Sequence, residues 1–173
     1  AMDEAVRDFI RSRYAMQVGE RTAEEVKKEL GMASPSGERQ LEERRMEVVG
    51  KDLVDGSAKV IEIGSTEVYE AIEPVLAEII TGARRVIEDS QPDVTADIYR
   101  TGIILTGGGA LLGGMAERLQ TELRLHAVVA EDPLAAVALG AGRLLAEPER
   151  LQRVSIRQDV PAWQQSEELI VNW

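Results

Sequence analysis

Three consecutive glycines, Gly107-Gly108-Gly109, follow directly on the apolar run Gly102-Ile103-Ile104-Leu105-Thr106. No other stretch constrains the fold as strongly. Adjacent glycines cost conformational entropy, so they are kept where the backbone must turn sharply or let something approach closely. The apolar run, bounded by glycine on both sides, predicts a short buried strand. After the glycines, ALLGGMAERLQTELRL places Leu112, Met115, Leu119 and Leu123 on one helical face. The expected unit is strand, bare turn, helix. At such a junction free N–H groups point outward and the helix dipole favours an anion. The turn could therefore face phosphates, a ribose or a purine ring. No lysine follows at the spacing of a Walker loop. A tight strand–helix turn with no ligand accounts for the same residues.

The surrounding segments read as alternating helices and strands. DEAVRDFIRSRY (3–14) has helical spacing at Ala5, Val6, Phe9, Ile10 and Tyr14. A second helix is expected from Thr22, with Glu25 at capping-box spacing and Gly31 as the stop. Residues 33–40, with Pro35 and Gly37, read as a loop. RRMEVVGKDL and SAKVIEIG alternate, and Asp55-Gly56 between them predicts a β-hairpin with one buried face. A long helix is expected from Ser65 to about residue 89, kinked or restarted at Pro74. Residues 89–97 read as a polar connection with at most a helical turn. Ala127-Val128-Val129 reads as a strand. Asp132-Pro133 is placed to open a helix, with Asp132 as N-cap, that runs through the small residues of LAAVALGAGRLLA. From about Leu151 the periodicity weakens and a tail is expected.

Composition narrows the function classes. The chain has 173 residues and a formal net charge of −11, which leaves no basic stripe to neutralise phosphates along a nucleic acid. Without cysteine there is no disulfide, thiolate metal site or cysteine nucleophile. A single histidine, His126, argues against a multi-histidine metal site or a serine–histidine triad. Its place between a helix and a strand predicts a surface residue. No apolar run approaches the roughly 18–20 residues of a membrane span, and no basic-then-apolar leader opens the chain. An ordered, acidic, cytoplasmic protein is expected.

Few side chains stand out as chemical candidates. Glu24 and Lys27 share a helix face, as do Glu25 and Lys28. Ordinary ion pairs on a solvated helix account for them, each worth about a few tenths of a kcal/mol. Glu131 and Asp132 could be paired carboxylates for acid–base work or magnesium, but N-capping explains Asp132. Trp163 and Trp173 in the tail could mark a partner contact or a packing anchor.

Three segments in order, GERTAEEVKKELG (19–31), IILTGGGALLGGM (103–115) and AEDPLAAVALGAG (130–142), resemble bacterial MreB, the rod-shape-determining actin homologues. MEVVGKDLVDG and the helix after STEVYEAIEP fit the same region. The resemblance runs from Met2 to about Leu145. It implies an α/β chain of the actin-like ATPase (ribonuclease H-like) superfold, the second half only. Residues 1–12 and 91–146 would form an inner lobe with an incomplete sheet, 13–90 a small α+β outer lobe, and 147–173 a C-terminal tail.

The resemblance also implies a function. Thr106, Gly107, Gly108, Gly109 and Ala110 are similar to the family's adenosine motif. Glu24 and Lys27 resemble the pair at the adenine and ribose edge; a register one residue along would give Glu25 and Lys28. The segment EDPLAAVALGAG is similar to a connecting helix at the hinge. ATP or ADP with Mg2+ is implied for the full-length protein. The family's phosphate loops, metal-holding residues and water-positioning residues fall outside this chain, so no catalytic and no metal residue is assigned here, and the chain alone is expected to be inactive as an ATPase. Implied partners are further copies in membrane-associated filaments, a RodZ-type adaptor and the cell-wall elongation machinery, with membrane contact through the absent first domain beneath the inner membrane and no nucleic acid. The alternatives are an adaptor-binding module for a RodZ-type partner, or a lobe of a sugar kinase or chaperone-type ATPase of the same superfold.

Overall fold

The computed structural model describes residues 1–34 and 44–147. The end of the expected 33–40 loop and the tail with Trp163 and Trp173 lie outside the described residues. The described residues divide into two units, one within 1–136 and the other within 137–147.

The first unit opens with helix α1 (Met2–Tyr14), which has Asp3 and Glu4 in its first turn and Arg11 and Arg13 in its last. That order complements the helix dipole. Val6 and Ile10, one turn apart, are its fully buried residues. A two-residue strand β1 (Met16–Gln17) leads to α2 (Glu20–Leu30). Strands β2 (Arg45–Asp52) and β3 (Ala58–Gly64) form the expected hairpin, with Val48 paired to Ile61 and Gly56 at φ 77° in the turn. β1 pairs antiparallel with the outer edge of β2.

Helix α3 (Ser65–Glu88) begins where Glu67 accepts the Gly64 amide at 3.0 Å and the Tyr14 hydroxyl at 2.6 Å. It runs through Pro74 as one helix rather than restarting there. Pro74 lies on the exposed side, as does Glu70, whose carbonyl loses its helical donor to the proline and can turn to water.

Helix α4 (Pro92–Thr101) occupies the expected polar connection. None of its residues is fully buried, so its pattern is weak in the sequence; Ile98 alone leans on the core. Strand β4 (Ile103–Leu105) pairs parallel with β5 (Ala127–Val129), and helix α5 (Met115–Leu123) lies between them in sequence. The expectation of a buried β4 fails. Ile104 is 70% exposed, because this sheet has two strands among the described residues and only one face packs on the core. His126 is exposed, as expected.

One continuous core joins these elements. It runs from Val6 and Ile10 through Val26, Ile63 and Ile72 to Leu119 and Leu125. In the second unit the described part is the body of α6 (Ala136–Ala146), with Val137, Leu139 and Leu145 exposed. Helix α6 starts three residues after Pro133. Asp132 still accepts the Ala135 amide at 3.0 Å, but it closes a turn ahead of the helix rather than capping the helix itself.

Candidate functional site

The glycine run sits differently from the expected strand–turn–helix junction. Gly107, at φ 80°, donates its amide to the Pro133 carbonyl at 2.6 Å. A single 3-10 turn then covers Gly108–Leu111. The α-helix begins only at Met115, after Gly114 at φ 78°. A left-handed residue cannot continue a helix, so Gly114 splits the segment and α5 does not aim its terminus from the glycine run. The amides of Gly108 and Gly109 instead stand in the first turn of the 3-10 element, where a helix has no carbonyl of its own to offer them.

The chain itself requires glycine at Gly107, for its positive φ, but no bare backbone at Gly108 or Gly109. A Cβ at Gly107 or Gly109 would meet nothing within 4 Å, and one at Gly108 would come to 3.7 Å from Leu134 Cδ2. Gly102 and Gly31 contrast with them. A Cβ on Gly102 would collide with the His126 carbonyl, and one on Gly31 with the Lys27 carbonyl and, at 3.0 Å, Leu112 Cδ1. Those two glycines serve close packing; Gly108 and Gly109 face open space.

Helix α2 faces this loop. A cleft of about 410 Å³ is lined on one wall by Glu24, Lys27, Lys28 and Gly31, and on the other by Gly108, Gly109, Leu111 and Gly113. Two sequence candidates more than eighty residues apart thus share one cleft. Lys28 Nζ lies 2.6 Å from Glu24 Oε1, and this hydrogen bond holds the Glu24 carboxyl below and the Lys28 ammonium above their ordinary pKa ranges. Lys27 is not paired with Glu24. Its Nζ reaches Asp3 Oδ1 of α1 at 2.7 Å. Glu25 pairs with Arg21 at 3.1 Å and does not line the cleft. Thr106 is exposed, Gly107 half-buried and Ala110 buried, and none of them lines it. The capping box from Thr22 does not form; α2 starts at Glu20, with Gly19 as its N-cap.

The residues missed from sequence are mostly apolar. Leu111 (59% exposed) and Leu134 (68% exposed) stand on the cleft wall with no partner to hide them. Helical periodicity places Leu111 next to the predicted core face, which concealed it. Leu134 follows Asp132-Pro133, whose helix-opening signal carries no sign of a cleft. No group of three or more His, Asp or Glu that could hold a metal ion occurs among the described residues, so Glu131 and Asp132 gain no third ligand.

The family model for MreB/Mbl protein matches residues 1–153. The chain belongs to the MreB/Mbl family. The cell shape-determining protein Mbl of Bacillus cereus is 37% identical over 155 residues, which cover 90% of this chain and 45% of that protein. The cell shape-determining protein MreB of Escherichia coli is 38% identical over 143 residues, covering 83% of this chain and 40% of that one. The chain therefore spans less than half the length of these relatives. Among solved structures, MreB5 of Spiroplasma citri bound to ADP superposes with a TM-score of 0.79 at 28% identity, over 89% of this chain and 46% of that one. A MamK double helical filament superposes with a TM-score of 0.67 at 23% identity, over 84% and 43%, and speaks for the fold alone. The family's chain here carries part of the actin-like ATPase fold, with incomplete sheets.

Proposed function

We propose that this chain is the second domain of a bacterial actin-like protein that forms ATP-dependent filaments and governs cell shape, and that it supplies the adenosine side of the nucleotide cleft. The observation that carries this reading is the cleft in which Glu24 and Lys27 of α2 face Gly108 and Gly109. Its chemistry suits a nucleoside phosphate. Leu111 and Leu134 offer apolar surface to a flat base, Lys27 and Lys28 keep N–H donors beyond those given to Asp3 and Glu24, and the two glycines let a sugar or phosphate touch the backbone. MreB5 of Spiroplasma citri, the better-matching fold relative, was solved with ADP and with AMPPNP.

In this reading Thr106, Gly107 and Ala110 shape the loop, while Gly108 and Gly109 touch the ligand. The cleft falls where the outer lobe (13–90) meets the inner lobe (1–12 and 91–146), and the small residues of α6 make it the connecting helix. Magnesium would be held by the other half of the protein. The whole protein works in the cytoplasm beneath the inner membrane, and membrane contact comes from the first domain. Calorimetric titration of the chain with ADP tests the reading. Saturable binding is expected, with no ATP turnover above background; an absence of binding or a robust turnover refutes it.

A second surface favours a partner role. A cleft of about 560 Å³ between α3, α4 and α5 is lined by Arg84, Ile87, Glu88, Tyr99, Glu122 and Arg124. It combines side chains of both charges with apolar and aromatic ones, as protein-docking patches do. A RodZ-type adaptor of the wall-elongation machinery would dock here. Pull-down by the adaptor's cytoplasmic domain should survive nucleotide removal and be lost with Arg124→Glu.

A further inference from the structure

The two cleft walls belong to distant parts of the chain, yet their bases are pinned together. The Ala33 amide donates to the Gly113 carbonyl at 2.7 Å, and Met32 forms a parallel bridge with Gly113. Gly113 itself lines the cleft. Ala33 is fully buried, and its carbonyl accepts Arg118 Nη1 at 3.1 Å. The residue that ties α2 to the glycine loop through its amide is thus held through its carbonyl by α5.

Arg118 is held in turn by α3. Nη1 donates to the Tyr69 hydroxyl at 2.9 Å and to Glu73 Oε2 at 3.0 Å, and Nη2 donates to Glu73 Oε1 at 2.8 Å. The fork is bidentate and its side chain is only 15% exposed. Such a geometry is directional and stiff, and a lysine cannot reproduce it. Neither Arg118 nor Glu73 lines the cleft.

We propose that Arg118 and Glu73 are positioning residues that fix the spacing between α2 and the glycine loop. They do so through Ala33 and Gly113 and touch no ligand. The consequence for nucleotide rests on the function proposed above. With the fork intact the cleft is held at one width and a ligand has no ordering to do. With the fork broken the walls drift, and only a fraction of molecules present both at the right distance. If that fraction falls to a tenth, apparent affinity falls about tenfold.

The chain has no cysteine, so Arg21→Cys on α2 and Leu111→Cys on the loop give a unique pair of spin-label sites. Pulsed electron resonance should return a single narrow distance in this background. Glu73→Gln removes the charge from a side chain one-third exposed, and Arg118→Lys keeps the charge but loses the fork. Both should broaden the distance distribution under native conditions. In the cysteine-free chain both should weaken ADP binding about tenfold. A purely structural role would lower the urea midpoint and leave the distance within the folded population unchanged, which overturns the proposal. A broadened distance with unaltered ADP affinity supports the spacing role and overturns its consequence for nucleotide. If the unsubstituted chain binds no ADP while the distance still broadens, the spacing role stands and the nucleotide reading falls.

Discussion

Replacing Gly109 by alanine separates a ligand-facing backbone from a merely flexible one. The added methyl meets nothing within 4 Å, and Gly109 has no left-handed φ to forbid it. Where the native backbone accepts alanine, loss of glycine's freedom in the unfolded chain stabilises by about 0.4–1 kcal/mol. The urea midpoint should therefore hold or rise. A ligand lying against the bare backbone meets the same methyl as a steric intrusion. Forcing one extra carbon into an occupied site costs about 1–3 kcal/mol, and a difference of that size is about a 5–150-fold loss of affinity. Gly102→Ala is the control. At φ 83° with a Cβ driven into the His126 carbonyl, it should destabilise by at least about 1–3 kcal/mol. Calorimetry with ADP and urea unfolding on both variants provide the assay. If Gly109→Ala binds ADP as tightly as the parent chain, no ligand approaches that loop and the reasoning fails.

Further outcomes follow from the buried contacts. Burial and the hydrogen bond to Glu67 push the Tyr14 hydroxyl up to about 12. Between pH 10 and that value the unfolded chain has lost a proton the folded chain keeps. Stability from this group is therefore full below pH 10 and lost as pH rises toward about 12. Tyr14→Phe should flatten that alkaline limb in urea midpoints measured against pH. Glu73 is held below its ordinary 4.5 by the hydrogen bond from Arg118, so its contribution is present above pH 4.5 and lost on acidification; Glu73→Gln should remove that part of the acid limb. Ile72→Ala, at a fully buried position in α3, should cost about 2–5 kcal/mol in the same assay.

Periodicity made α1, α3 and the β2–β3 hairpin legible, because each buries one clean face: Val6 and Ile10, Val68 to Ile80, Val48 against Ile61. It failed where burial is partial or tertiary. α4 has no fully buried residue to beat a period with. β1 is two residues long and exists only because β2 offers an edge at Asp52 and Lys51. The start of α5 was misplaced because Leu112 continues its apolar face, while the decisive signal was the left-handed Gly114. In the candidate site, residue types on α2 and the loop were legible, but their meeting depends on Ala33, Gly113 and Arg118. Those residues look ordinary in sequence, since an alanine's backbone and an arginine's partners leave no pattern.

A strand bonded on one side carries a row of amides and carbonyls on the other, and among the described residues β4 presents such a margin beside Ile104. In dilute buffer the charge of −11 keeps copies apart. At about 1 M salt the repulsion reaches only about 3 Å, and two molecules can then join margin to margin. Purification by high-salt precipitation is therefore the step at which this protein should clump, and a lysine in place of Ile104 is the remedy.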